Sequence, residues 1–160
     1  MLTIYLAGGI EKSPDGGRGA RKKIKAMLKD IKGIKLIDPC DFKINKNLKN
    51  IDEAEKRGLD WKDISNKILS QDLNSVSSVD CVISVLDGYE GFGTFCEMVL
   101  AHYLHKPIIA HNLKSVINYD KALHPWVKGA ITIMTHKPSD LRKAILDLLK
   151  GEFNGNESRT

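Results

Sequence analysis

Residues 71–98 read QDLNSVSSVDCVISVLDGYEGFGTFCEM. An amphipathic helical segment gives way to an apolar run, then to a glycine-bearing loop, then to a second helical segment. The run at 80–86 (DCVISVL) is almost wholly apolar, as befits a strand covered by helices on both faces. Helix, buried strand and helix in succession form the repeating unit of a parallel α/β sheet. In such sheets ligands bind beyond the carboxyl end of a strand, beside the N-terminus of the following helix. The same segment sets two carboxylates around the strand, Asp72 before it and Glu97 after it.

Working upstream, residues 2–7 (LTIYLA) predict a first buried strand that empties into Gly8 and Gly9, a ligand-facing turn. The loop runs on through Ser13, Pro14, Asp15, Gly16 and Gly17 to a helix with Ile24, Met27, Leu28 and Ile31 at helical spacing. GGIEKSPDGG contains neither GxGxxG nor GxxxxGK[ST], so nothing argues for NAD or ATP and no cofactor is expected. Gly33 ends the helix, and residues 34–37 (IKLI) form the second strand before Asp38 and Pro39. Residues 40–50 have no clear period and read as a loop over the site. A polar helical pattern from Ile51 is interrupted by Gly58, and a stronger helix spans 61–77.

Downstream, a helix from Thr94 is expected to bury Phe95, Cys96, Val99, Leu100 and Tyr103. Residues 107–110 (PIIA) form the fourth strand. The long connection 111–126, with Asn112, Asn118, Asp120, His124 and Pro125, is expected to complete the site or a subunit contact. Residues 130–134 (AITIM) form the fifth strand, and Ser139 or Asp140 caps a last helix carrying Leu141, Ile145, Leu148 and Leu149. This alternation predicts an α/β fold: a single-domain, doubly wound (flavodoxin-like or Rossmann-like) five-stranded parallel sheet with helices on both faces. The domain is expected over 1–150, with 151–160 a flexible C-terminal tail.

With 160 residues, 42% of them hydrophobic, the chain suffices for one full core and not for two ordinary domains. No apolar run reaches the roughly 18 residues of a membrane span, and Met1 leads straight into the first strand, so a cytoplasmic protein is expected. The net charge of +5 is concentrated in the helix of residues 18–32 and in scattered lysines. No exposed aromatics are interleaved with it, so it reads as a solvated face and no nucleic-acid partner is expected. Cys40, Cys81 and Cys96 have no paired spacing, and Cys81 and Cys96 lie in apolar runs, so buried reduced thiols are expected. His102 and His105 share a helix, but no carboxylate or cysteine spacing completes a metal set with them. No GxSxG surrounds any serine.

The two carboxylates carry the chemistry. Asp72 lies within the stripe Ile64, Ile68, Leu69, Leu73 and Val76, four residues from both Ile68 and Val76, and so projects towards the sheet. A carboxylate so placed costs several kcal/mol unless it is partnered or protonated. It is either functional or a structural group capping a loop or pairing with a lysine. Glu97 follows Thr94 by three residues, the capping-box spacing, so its local sequence fits a helix cap as well as a catalyst.

Three stretches together resemble the nucleoside 2-deoxyribosyltransferase family, with its related deoxynucleoside 5'-monophosphate N-glycosidases. They are IYLAGGI at 4–10, QDLNSVSSVDCVISVLDG at 71–88 and GTFCEMVLAHYLHKPI at 93–108. The resemblance implies that Glu97 attacks the anomeric carbon of a 2'-deoxyribonucleoside, that Asp72 is the acid-base group, and that Tyr5, at the end of the first strand, orients the nucleophile. It implies Gly8, Gly9, Asp87, Gly93 and Thr94 as substrate-binding positions, and a homo-oligomer in which Asn118 or His124 serves a neighbouring subunit's site. A free base accepts the sugar in a transferase and water accepts it in a hydrolase; an idle nucleotide-binding module on the same fold is the third reading.

By analogy with retaining glycosidases, one carboxyl of the pair is expected to have a raised pKa. The dipole of its helix is expected to keep Glu97 ionised. The family's phosphate-contacting serine and arginine are replaced by Gly9 and Glu11, which disfavours a nucleotide substrate unless Ser13, Arg18 or Arg21 substitutes.

Overall fold

A computed structural model describes residues 1–10, 12–42, 56–58, 60–114 and 123–153. Its elements are β1 (Leu2–Gly8), α1 (Arg18–Leu28), β2 (Ile34–Ile37), α2 (Trp61–Ser78), β3 (Cys81–Leu86), α3 (Phe92–Tyr103), β4 (Ile108–Asn112), α4 (Pro125–Ala130), β5 (Ile133–Thr135) and α5 (Pro138–Lys150). The strands form one parallel sheet in the order β2-β1-β3-β4-β5. This is the doubly wound fold.

Alternation along the strands divides the core in two. Tyr5, Ala7, Val82, Leu86, Ile108 and Ala110 face Val76 of α2, Met98 and Ala101 of α3, and Val127 and Ala130 of α4. Ile4, Leu6, Cys81, Ile83, Val85 and Ile109 face Ile24 and Leu28 of α1 and Leu141, Ala144 and Ile145 of α5. A sheet covered on both faces explains why β3 is buried at every position. The chain leaves β1 for the α1 face and β3 for the α3 face, so the loops diverge between neighbouring strands. That divergence is the topological switch point, where an open α/β sheet leaves a crevice.

Several boundaries differ from the expected ones. α3 starts at Phe92 with Gly91 as its N-cap, two residues before Thr94. This turns the helix so that Thr94, Met98 and Ala101 are buried, while Val99 and Tyr103 are exposed, at 40% and 78%. Cys96 is exposed as well; Cys40 and Cys81 are buried, and all three are free thiols. On α2 only Val76 of the apolar stripe is fully buried, and Leu69 and Leu73 are 56% and 42% exposed. The helix lies on the sheet through one edge of the stripe, leaving the other edge bare.

The connection after β4 contains α4, whose first residue is Pro125, a position where the missing N–H costs nothing. It consumes Ala130, so β5 is only Ile133–Thr135. α5 begins at Pro138 on Lys137, without a side-chain cap from Ser139 or Asp140. Pro39–Asp41 form a single 3-10 turn at the head of the expected 40–50 loop. Residues 43–50 of that loop, the start of the polar helical pattern at 51–55, Asn118 and the tail from 154 lie outside the described residues.

Candidate active site

Tyr5 lies in the middle of β1, paired with Ile37 of β2 and Val82 of β3, and is fully buried. Its side chain projects from the sheet face that α2 and α3 cover. The hydroxyl therefore arrives between a carboxylate from each helix, 2.6 Å from Glu97 Oε1 and 3.3 Å from Asp72 Oδ1. Three residues separated by up to 92 positions in the chain meet at one hydroxyl.

Electrostatics sets the state of this group. Burial pushes the Glu97 carboxyl up to about 8, with the charge of Asp72 adding to it and the Tyr5 hydrogen bond opposing it. Burial also pushes Asp72 up to about 6, against the Tyr5 hydrogen bond. Tyr5 is held protonated by its burial and by the two carboxylates. The expectation that the helix dipole keeps Glu97 ionised is corrected. Because α3 begins at Phe92, Glu97 falls in its second turn, past the orphan amides where the dipole acts. Desolvation outweighs what remains. Both carboxyls are raised, and Glu97 more than Asp72.

The capping-box alternative for Glu97 is excluded by the same boundary. Gly91 is the N-cap, Thr94 is buried within the first turn, and the Glu97 carboxyl is turned onto Tyr5.

The remaining candidates flank the crevice. Gly8 closes β1 beside Val85 of β3. A Cβ on Gly9 would lie 2.0 Å from the Tyr89 carbonyl oxygen, so this glycine is what lets the β1 and β3 loops touch. Asp87 follows β3, its Oδ1 accepting from the Tyr89 amide at 3.1 Å, and burial raises its pKa. Gly93 lies in the first turn of α3 with nothing near the position a Cβ would take. His124 caps α4 by accepting from the Trp126 amide at 3.3 Å.

Of the candidate phosphate ligands, Ser13 donates to Asp15 Oδ1, and Asp15 in turn accepts from the amides of Gly17 and Gly19. Arg21 is 1% exposed and bonded to backbone carbonyls, so it is not available to a phosphate. Its burial is a feature that reading the basic helix as a solvated face missed. The signal was an arginine three residues before Ile24 on the apolar side of α1. Among the described residues, no group of three or more His, Cys, Asp or Glu is placed to hold a metal, and no helix is long and apolar enough to cross a membrane.

No protein-family model and no curated protein sequence matches the chain. Solved structures do. A conserved protein from Enterococcus faecalis is similar at TM-score 0.69 and 20% identity, over 92% of this chain and 99% of that one. A 2-deoxyribosyltransferase from Bacillus psychrosaccharolyticus is similar at TM-score 0.61 and 17% identity, over 88% and 90%. A CMP N-glycosidase from Clostridium botulinum is similar at TM-score 0.50 and 17% identity, over 92% and 98%. Likenesses at this identity show a shared fold.

Proposed function

We propose that the protein is an enzyme of the nucleoside 2-deoxyribosyltransferase and N-glycosidase kind, which cleaves the N-glycosidic bond of 2'-deoxyribonucleosides and transfers the sugar to another base. The observation that carries this reading is the single Tyr5 hydroxyl set between the carboxyls of Glu97 and Asp72. Solved structures of the same fold that include a deoxyribosyltransferase and an N-glycosidase support it. Fold alone does not decide function; the carboxylate pair does most of the work.

Cleaving the bond builds positive charge on the sugar ring and negative charge on the departing base. Glu97 attacks the anomeric carbon and forms a deoxyribosyl ester as the C–N bond breaks. Asp72 protonates the leaving base, then as a carboxylate takes a proton from the incoming one as its nitrogen bonds to the anomeric carbon and the ester C–O bond breaks, which frees the Glu97 carboxylate. Burial raises both carboxyls, so the pair holds a shared proton near neutrality. In the form that reacts, the Tyr5 hydroxyl donates to ionised Glu97 and Asp72 carries the pair's proton for the leaving base.

With water in place of the acceptor base the same machinery is a hydrolase. The engagement of Ser13 with Asp15 and of Arg21 with backbone leaves exposed Arg18, at the start of α1, as the remaining candidate of the three for a 5'-phosphate. A homo-oligomer belongs to the same reading. The bare edges of α2 and α3, with Phe92 of α3 83% exposed and Trp126 of α4 74% exposed, offer the apolar face it needs.

The decisive experiment incubates the protein with thymidine or deoxyinosine, with and without adenine, and follows products by chromatography. A new deoxynucleoside formed only with adenine supports transfer. Free base and deoxyribose without acceptor support hydrolysis. No turnover of deoxynucleosides or their monophosphates would sink both.

A further inference from the structure

Arg21 is the largest fully buried side chain of the described residues, and the chemistry above makes no use of it. Standing on the first turn of α1, it spends its guanidinium on the backbone around the end of β1. Nε donates to Leu6 O at 3.3 Å, Nη2 to Gly8 O at 2.8 Å, and Nη1 to Gly17 O at 3.2 Å and Gly9 O at 3.4 Å. Its Nε also lies 3.3 Å from Asp38 Oδ1, and Lys25 Nζ takes the other oxygen of Asp38 at 2.5 Å. Asp38 is thus shared between two cations, and Lys25 also reaches Asp41 Oδ2 at 3.1 Å.

The surroundings are cut to fit this fork. A Cβ on Gly17, itself at φ +74°, would fall 2.3 Å from Nη1 and 2.1 Å from Gly9 O. Gly17 therefore leaves room for one arginine to gather carbonyls from β1 and from the turn before α1. Because β1 is the strand that carries Tyr5, whatever fixes its carboxyl end also fixes the hydroxyl that holds Glu97.

We propose that Arg21 is a positioning residue for the carboxylate pair: it locks the end of β1 under the Tyr5 hydroxyl and sets a fixed buried cation behind Asp72 and Glu97. Its charge favours the ionised form of Tyr5, Asp72, Asp87 and Glu97 alike. The groups that act on Glu97 are Tyr5 from β1, Asp72 from α2 and Arg21 from α1. Of these, Arg21 alone is cationic. The kinetic part of the proposal rests on the function proposed above; the electrostatic part does not.

Arg21→Met and Arg21→Lys, each checked for folding by circular dichroism, separate position from charge. The Glu97 carboxyl is titrated in protein labelled with 13C-glutamate, its resonance assigned by loss in Glu97→Gln. Removing a cation disfavours the carboxylate, so in Arg21→Met the Glu97 midpoint rises by about one pH unit. The alkaline limb of the deoxynucleoside cleavage profile rises with it. kcat falls about a hundredfold while KM changes less than about threefold, as expected when reacting groups are misplaced and binding is not. Arg21→Lys keeps the midpoint near that of the wild type yet loses about tenfold in kcat, because an ammonium cannot span four carbonyls.

An unchanged Glu97 midpoint in folded Arg21→Met overturns the proposal, as does wild-type kcat in either variant. If Arg21→Met does not fold, Arg21→Lys decides, and wild-type kcat in it overturns the positioning role. Absence of turnover by the wild-type protein would count against the proposed function and leave the titration test standing.

Discussion

The Tyr5 hydroxyl lies 2.6 Å from Oε1 of Glu97, the shorter of its two carboxyl contacts, and joins the middle of β1 to the second turn of α3. A fully buried side chain thereby sets the position of a helical carboxyl that would otherwise choose among rotamers. The consequences are measurable.

Tyr5→Phe keeps the ring and removes the bridge. Turnover of deoxynucleosides should fall by about a hundredfold to ten-thousandfold, the range lost with an acid-base group, while KM moves little. The Tyr5 hydrogen bond lowers the Glu97 pKa. The same hydroxyl lowers Asp72, so its removal should shift both limbs of the profile to higher pH. Steady-state kinetics from pH 5 to pH 9 reads both effects.

Glu97→Gln should abolish the covalent intermediate while stabilising the fold at alkaline pH. Glu97 titrates near 8 when folded, against an ordinary value of 4.5, so the folded state holds more protons than the unfolded one between those limits. Stability must then fall as pH rises through that window. Glutamine has no such cost. The variant should exceed the wild type by a few kcal/mol above about pH 8 and lose that advantage below about pH 4. Thermal unfolding of the two proteins across pH tests it, and a constant difference would contradict the burial of the carboxyl.

Activity itself should follow a bell whose limbs belong to the pair and not to single residues, since the carboxyls are coupled through one hydroxyl. With Asp72 near 6 and Glu97 near 8, the form that shares one proton is most populated around neutrality. Asp72→Asn should remove one limb. It should also slow release of poorly acidic bases far more than release of bases that leave readily without a proton, as competition between two deoxynucleosides would show.

Gly9→Ala should be costly although the residue is remote from the carboxyls in sequence. Its Cβ would meet the Tyr89 carbonyl oxygen at 2.0 Å, and backbone cannot yield as a side-chain tip can. A loss of about 1–3 kcal/mol is expected, together with reduced activity as the β1 and β3 loops separate. Gly93→Ala, with open space at that position, serves as the control and should keep its melting temperature.

Light scattering should give a particle heavier than the 17.8 kDa chain. Tyr103, 78% exposed on the outer edge of α3, lies beside the apolar cleft lined by Phe92, Val99 and Trp126. Tyr103→Glu with Trp126→Glu should shift the protein to monomer. Activity falls with it if neighbouring subunits complete the site.

Periodicity alone was enough to place the five strands in sequence and to turn Asp72 towards the sheet, because burial on one or both faces writes itself into residue spacing. β2 is matched to the residue, and α2 begins at Trp61 as expected. Helix starts were harder to read. Gly91, which takes the cap of α3 from Thr94, has no distinguishing side chain, and that two-residue shift moved Glu97 out of reach of the helix dipole. Leu69 and Leu73 belong to the stripe by spacing, yet whether a stripe is covered depends on what the fold brings against it.

The amino-acid sequence by itself determined the layered fold and the three residue types at its centre. Only the tertiary structure decided that Tyr5, Asp72 and Glu97 converge on one hydroxyl, that burial raises both carboxyls, and that Arg21 is buried against the end of β1. The reason is physical. Secondary structure follows from local spacing, whereas a pKa and a hydrogen bond depend on the solvent and charges that distant segments remove or supply.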